Sequence, residues 1–337
     1  MLSVLNVTAP FFALVACGYF AARLKLLPVN AVPALNTFVL FFALPCMLFR
    51  FTLATPFALL FNEGVFAAYT VTGLLMLAVF SGAYRFATGH AWHEGAYAAL
   101  ASAWANWGYM GFALIPALFG PGALPVMIAA GMADLLIIVS AGLALGGLGG
   151  LGAGGGAAGV VGAAGAAGAS GAAGAANFAA VTRGALTRVA KNPLMWGVLA
   201  GVAGSALSIR LPVALDTFVQ LLGTAAGPVA LFAIGVSLYR PGAKVLRGDV
   251  LMISGAKLLL HPYLVAMVAL FMFGLPRADT NILILVAALP VAGTVFMFAE
   301  RAGADAEVIS ASILVSTALA FFSFSALCWA FGIQLGR

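Results

Sequence analysis

Apolar runs of about 20 residues follow one another along this chain, and almost every charge lies between them or near a run's end. A soluble domain cannot use such runs, because it needs roughly a quarter of its residues charged. Here 64% of the 337 residues are hydrophobic, 7% are charged and the mean hydropathy is +1.15. The chain therefore reads as an all-α polytopic membrane protein whose first partner is the lipid bilayer. The spans run 2–24, 33–54, 65–88, 95–119, 122–146, 192–209, 212–239, 249–274, 280–301 and 305–333, ten in all. The first has no basic start and no clear small-residue cleavage site, so it reads as a span rather than a cleaved signal.

A net charge of +6 would raise nucleic acid as a partner for a soluble protein. In a membrane protein short basic loops set the topology instead, so no nucleic acid is expected. With the N-terminus outside, alternating loops place Arg23, Lys25, Arg85, Arg183, Arg188, Lys191, Arg240, Lys244, Arg247 and Arg301 inside. Only Arg50, Arg210, Arg277 and Arg337 fall outside. The bias predicts that both termini are non-cytoplasmic, which an even number of spans allows.

Residues 147–190 are mostly Gly and Ala; the glycine content makes a poor helix with little side chain to pack, so the stretch reads as a cytoplasmic linker, the alternative being a small-residue helix packed on its neighbours. They divide the chain into a first five-helix repeat, 1–146, and a second, 191–337. The halves share a pattern. PALNTFVLFFALPCMLF (33–49) and PVALDTFVQLLGTAAGPVALF (212–232) both read Ala-Leu-[Asn/Asp]-Thr-Phe-Val and later Pro-x-x-Leu-Phe, at Pro45 and Pro228. Each half has an odd number of spans, so the second copy enters the membrane from the opposite side. The repeats are therefore inverted, as in many secondary transporters.

The fourth span of each half carries helix breakers. ANWGYMGFALIPALFG holds Asn106, Gly108, Gly111 and Pro116; ALPVAGTVFMFAERAG holds Pro290, Gly293 and Thr294. A break inside hydrocarbon is tolerated only where it is buried in protein or faces a water-filled cavity. Each break also exposes a helix N-terminus with free N–H groups and positive partial charge. Two such ends pointing at the midplane make an anion site. Asn106, Gly108, Gly111, Pro290, Gly293 and Thr294 are the expected substrate-binding residues.

These stretches, with FFALVACGYFAARLKLLP, KNPLMWGVLAGV, GPVALFAIGVSL and KLLLHPYL, resemble the auxin efflux carrier family, whose bacterial members are often labelled malate or malonate permeases. The resemblance covers both halves. It implies ten helices as two inverted five-helix repeats, with broken, crossing fourth and ninth helices as in the bile-acid symporter fold, in a bacterial inner membrane. A homodimer is compatible with it. Two positions depart: Ala113 stands where the family often has proline, and Thr294 where an asparagine usually follows the proline by four. A hydroxyl donates one proton where an amide donates two.

Ionisable groups inside spans are costly and face a cavity or a partner. Lys257 and His261, at i and i+4, share a helix face. Lys257 either counters substrate charge or changes protonation during transport, or it snorkels to an interface. Asp134 pairs with Lys257, binds a coupling cation or bonds a neighbouring helix; Asp216 reads as interfacial. Cys17, Cys46 and Cys328 have no metal spacing, and no Walker motif is present. His90 and His93 read as a solvated loop, so no metal or other cofactor is expected beyond a coupling proton or sodium ion. The function expected is secondary transport of a small organic anion, a carboxylate, by alternating access. A passive channel or uniporter on the same scaffold, and more remotely an intramembrane enzyme, are its rivals.

Overall fold

Backbone polar groups in hydrocarbon must bond within the protein, so each apolar run folds as helix. The computed structural model describes residues 2–28, 31–54, 62–149, 193–239 and 247–332. The expected linker falls outside the described residues from 150 on, as do Arg183, Arg188, Lys191, Arg240, Lys244 and Arg337. In chain order the helices are α1 (Leu2–Arg23), α2 (Val32–Ala54), α3 (Glu63–Thr88), α4 (Trp92–Ala103), α5 (Trp107–Phe119) and α6 (Leu124–Gly147). After these come α7 (Pro193–Ala206), α8 (Val213–Leu238), α9 (Gly248–Met272), α10 (Arg277–Ala287), α11 (Thr294–Arg301) and α12 (Ala306–Ala330). Among the described residues, six helices are long and apolar enough to cross a membrane: α2, α3, α6, α8, α9 and α12.

Local sequence sets the ends. The Asn62 side chain accepts from the Val65 N–H at the start of α3, and Gly89 takes the left-handed φ of 71° that ends it. Asp305 caps α12 in the same way through the Val308 N–H. Pro116 and Pro228 do not break their helices: both lie inside continuous α-helix. The break expected near Asn106–Pro116 comes at its start, over residues 104–106.

The helices pack in two groups. α1 lies on α8, α7 lies on α2, and α2 touches α8. Small residues let these backbones meet. A Cβ on Gly18 of α1 would run into the Phe232 carbonyl of α8, and one on Gly235 of α8 into the Val15 carbonyl of α1. On α7, Gly197 sits against Pro45 and Gly201 against Phe49 and Thr52 of α2. In the second group α3 packs on α4 and α6, α4 on α6, and α9 on α10 and α12.

Polar contacts sort the helix ends onto two faces. On one, both Glu94 carboxylate oxygens accept from the Asp305 N–H, and Arg247 reaches Asp249 (2.7 Å) and Asp305 (3.3 Å). The Asp249 hydrogen bond comes first in holding the Arg247 guanidinium above its ordinary value. On the other, Arg50 pairs with Asp216 and the Asn62 amide donates to Asp279 (3.1 Å). Among the described residues, the helix ends so placed alternate along the second half: Asp216 on one face, Arg247 on the other, Asp279 on the first, Asp305 on the other.

Replacing Gly201 or Gly18 with leucine should cost about 1–3 kcal/mol or more by overpacking. Gly82→Ala, whose Cβ meets nothing within 4 Å, should instead gain about 0.5–1 kcal/mol of helix propensity. Thermal unfolding of detergent-purified protein reads both; a Gly201→Leu variant as stable as wild type would refute the contact.

Candidate functional site

Pro290 has no N–H to give, and here, unlike at Pro116 and Pro228, the chain leaves the helix. Between α10 and α11 residues 288–293 leave the α-helix, and between α4 and α5 residues 104–106 do the same. The two open segments run antiparallel and bond to each other. The Asn106 N–H donates to the Pro290 carbonyl at 2.9 Å, and the Ala292 N–H to the Trp104 carbonyl at 3.2 Å, with Ala105 opposite Val291. The Val291 N–H donates to Ser316 Oγ of α12 at 3.2 Å. Trp104 stacks on Phe298 of α11, ring centres 6.0 Å apart.

A cavity of about 260 Å³ opens beside this crossing. Its crossing side is Trp104 to Tyr109 on one strand and Ala292, Gly293 and Thr294 on the other. Leu40, Phe41 and Leu44 of α2 and Leu135 of α6 close the far side. Residues 107–109 and 294 are the first turns of α5 and α11. Their N–H groups have no acceptor within their own helix, so both positive helix ends face one cavity. Apolar walls and two positive ends suit a small organic anion rather than a cation.

Of the expected site residues, the structure gathers Asn106, Gly108, Gly293 and Thr294 on the cavity. Gly111 and Pro290 stand behind it. A Cβ on Gly111 would lie 3.1 Å from Leu289 and 3.2 Å from Met127 and Trp107, so that glycine serves packing. Pro290 is buried and gives its carbonyl to the crossing. Trp104, Ala105, Trp107, Tyr109 and the α2 stripe were not expected. Their sequence signal is thin: Leu40 and Leu44 share a helix face, as apolar residues do in any span.

A polar cluster sits on the other side of α4's last turn. Lys257 is fully buried; it extends to no surface, and its Nζ donates to the Ala103 carbonyl at 3.4 Å. His261 Nδ1 lies 2.9 Å from that Nζ. If Nδ1 accepts, the imidazole proton belongs on Nε2, which has no partner among the described residues. Asp134, also fully buried, interacts electrostatically with Lys257. The Ala105 N–H and the Trp107 indole face its carboxylate, but neither closes a well-formed hydrogen bond. Tyr69 of α3 brings its ring 5.6 Å from His261. Asp134 and Lys257 both lie in π-helical turns, as do residues 107–111 of α5, and such turns recur at functional sites. Arg50 grips both oxygens of Asp216 at the start of α8. His93 bonds Glu94 at 3.2 Å, and among the described residues no group of three or more His, Cys, Asp or Glu is placed to hold a metal.

The sequence profile of the membrane transport protein family matches residues 3–146 and 169–328. A protein of Rhizobium meliloti (strain 1021) named "Putative malonate transporter" is 29% identical over 333 residues, spanning 98% of this chain and 96% of that protein.

Ser316→Ala should strand the Val291 N–H in the interior and lower stability by about 1–3 kcal/mol. Gly111→Val should also destabilise, whereas Gly108→Ala should not, because nothing lies within 4 Å of a Cβ there. The three variants' unfolding midpoints against wild type check this ranking; equal midpoints would dismiss it.

Proposed function

The chain belongs to the membrane transport protein family, and from that premise we propose that it is a secondary carrier of a small organic anion, a carboxylate, working by alternating access. Family and relative are membrane transporters, not enzymes, and this chain is an integral membrane transporter. The observation that carries the finer reading is the crossing, where two helix N-termini face one cavity. A carboxylate held there bonds to the N–H groups of α5 and α11 and to the Thr294 hydroxyl, without a fixed counter-charge. Such a site releases its anion more readily than a buried arginine would. The relative's name makes malonate the first substrate to test.

We propose ten membrane passes as two inverted five-helix repeats, 1–146 and 191–337, joined by a linker over 147–190, with α4–α5 and α10–α11 as the broken passes. The glycine contacts support it. Gly18 of the first half meets the Phe232 carbonyl, and Gly201 of the second meets the Phe49 carbonyl. Phe49 and Phe232 are the matching ends of the two Pro-x-x-Leu-Phe runs. First helix on second helix, exchanged between halves, is the pattern an inverted pair makes. The loop charges orient both termini to the non-cytoplasmic side of an inner membrane.

Lys257 lies against the carbonyl end of α4, where helix polarity favours a cation, and opposite Asp134. A lysine in that place would, when protonated, meet the charge that a bound sodium ion would meet. It supports a proton, or the membrane potential, over sodium as the driving force.

Uptake of radiolabelled malonate and related carboxylates into proteoliposomes, under imposed potential, pH and sodium gradients, tests this reading. Wild type should show saturable uptake and counterflow, which a channel lacks. Thr294→Ala should lose about tenfold in kcat/KM, the effect of one hydrogen bond to a charged group. Gly108→Val should fold and yet stop uptake by filling the cavity, and Lys257→Met should abolish the gradient response. If no carboxylate moves, or all variants match wild type, the reading fails.

A further inference from the structure

A second cavity, of about 240 Å³, lies further along the same helices. α2 gives Leu40 and Leu44 to the first cavity and Met47 and Phe51 to the second. Steps of four, three and four keep these residues on one helix face. α5 follows suit, with residues 107–109 on the first cavity and Phe112 and Ala113 on the second. The two cavities are thus consecutive stations in one seam between α2 and α5.

The second cavity has the chemistry the first lacks. Arg50 lines it, and Gln220 and Thr224 of α8 lie on it one turn apart. Gln220 is itself one turn past Asp216, so acid, amide and hydroxyl follow one another down one face. Arg50 forks onto Asp216, with Nε to Oδ1 at 2.9 Å and Nη2 to Oδ2 at 3.1 Å. That is the geometry in which a guanidinium takes a carboxylate. The two side chains are 34% and 40% exposed, so the pair adds little net stability and exchanges at little cost.

The pair is also one-sided. Aligning Ala-Leu-[Asn/Asp]-Thr-Phe-Val and Pro-x-x-Leu-Phe between the halves puts Asn36 opposite Asp216 and Ala233 opposite Arg50. The helix packing that the halves share therefore stands without an ion pair at the matching place. We infer that the second cavity is an entry station for the substrate's carboxylate, on the face where α2 ends and α8 begins, at which Arg50 exchanges Asp216 for the incoming anion. Asp216 is the internal competitor that keeps the guanidinium ordered and lightly held until substrate arrives. The inference rests on the carrier reading above.

The test separates the two. In proteoliposomes, malonate KM and kcat are measured for wild type, Arg50→Gln, Arg50→Lys and Asp216→Asn, each checked for monodispersity and unfolding midpoint. An entry station predicts opposite shifts. Arg50→Gln raises KM about tenfold by losing a charge-assisted fork, and Asp216→Asn lowers it several-fold by removing the competitor. Arg50→Lys falls between wild type and Arg50→Gln. A brace predicts one direction, because both neutral variants break the same bond; KM shifts of the same sign, or none, overturn the station and leave the carrier reading intact. If Arg50→Gln does not fold, Asp216→Asn decides alone, a lower KM supporting the station and an equal or higher one overturning it. A wild type that moves no carboxylate overturns both.

Discussion

An open backbone inside a membrane has nowhere to send its hydrogen bonds except to the protein itself, and one break alone cannot satisfy that demand. The molecule meets it by setting two breaks against each other. Asn106 bonds Pro290, Ala292 bonds Trp104, and Ser316 takes the N–H of Val291 that the pairing leaves over. Each broken helix is the other's partner, so neither could be straightened or removed alone. The geometry proposed for anion binding is a by-product of this pairing. Two interrupted helices held at one point must present two first turns there, and those turns carry the positive partial charge.

The opposite pole of the same arrangement explains the buried lysine. α4 ends at the crossing with its carbonyls, the negative end of its dipole, deep in the protein. Lys257 caps that end through Ala103, and Asp134 and His261 lie within its field. An uncompensated charge at such depth is among the costliest things a membrane protein can hold. Its cost falls because helix end, lysine and acid are neighbours. With positive helix ends toward the cavity, a protonated Lys257 behind it would stabilise negative charge at the crossing from both sides.

How much of this could be read from the chain depends on the range of each interaction. The six long apolar helices were legible because each is local, a run of about twenty apolar residues. The two breaks were legible because Pro290 and the glycines around 108 are local signals in matching places. The position of the first break was not. Glycine and proline mark where a helix can open, but it opens at Trp104–Asn106, where the second break supplies partners, while Pro116 stays helical. The packing of Gly111 was hidden for the same reason: its neighbour Leu289 is far away in sequence. Ser316, Leu135 and the Arg50–Asp216 pair belong to contacts between distant helices, and no periodicity within one segment encodes them. Lys257 was legible as a charge inside a span, but only its neighbours decide between snorkelling and burial.

The two helix groups differ in how they are joined, and that difference bears on movement. Within the α1, α2, α7 and α8 group, glycines bring backbone against backbone: Gly18 on Phe232, Gly235 on Val15, Gly197 on Pro45. Contacts of that kind admit one register, because any slide drives a carbonyl into a neighbouring turn. The seam between α2 and α5 is built otherwise, with two cavities and side chains such as Phe41, Trp107 and Phe112 between the backbones. Side chains on a seam of cavities can exchange partners, as close-packed backbones cannot. A carrier needs one rigid body, one moving body and a substrate site on the surface between them. On the carrier reading proposed above, the glycine-locked group would supply the first and the crossing the second, with both cavities along the line where they meet.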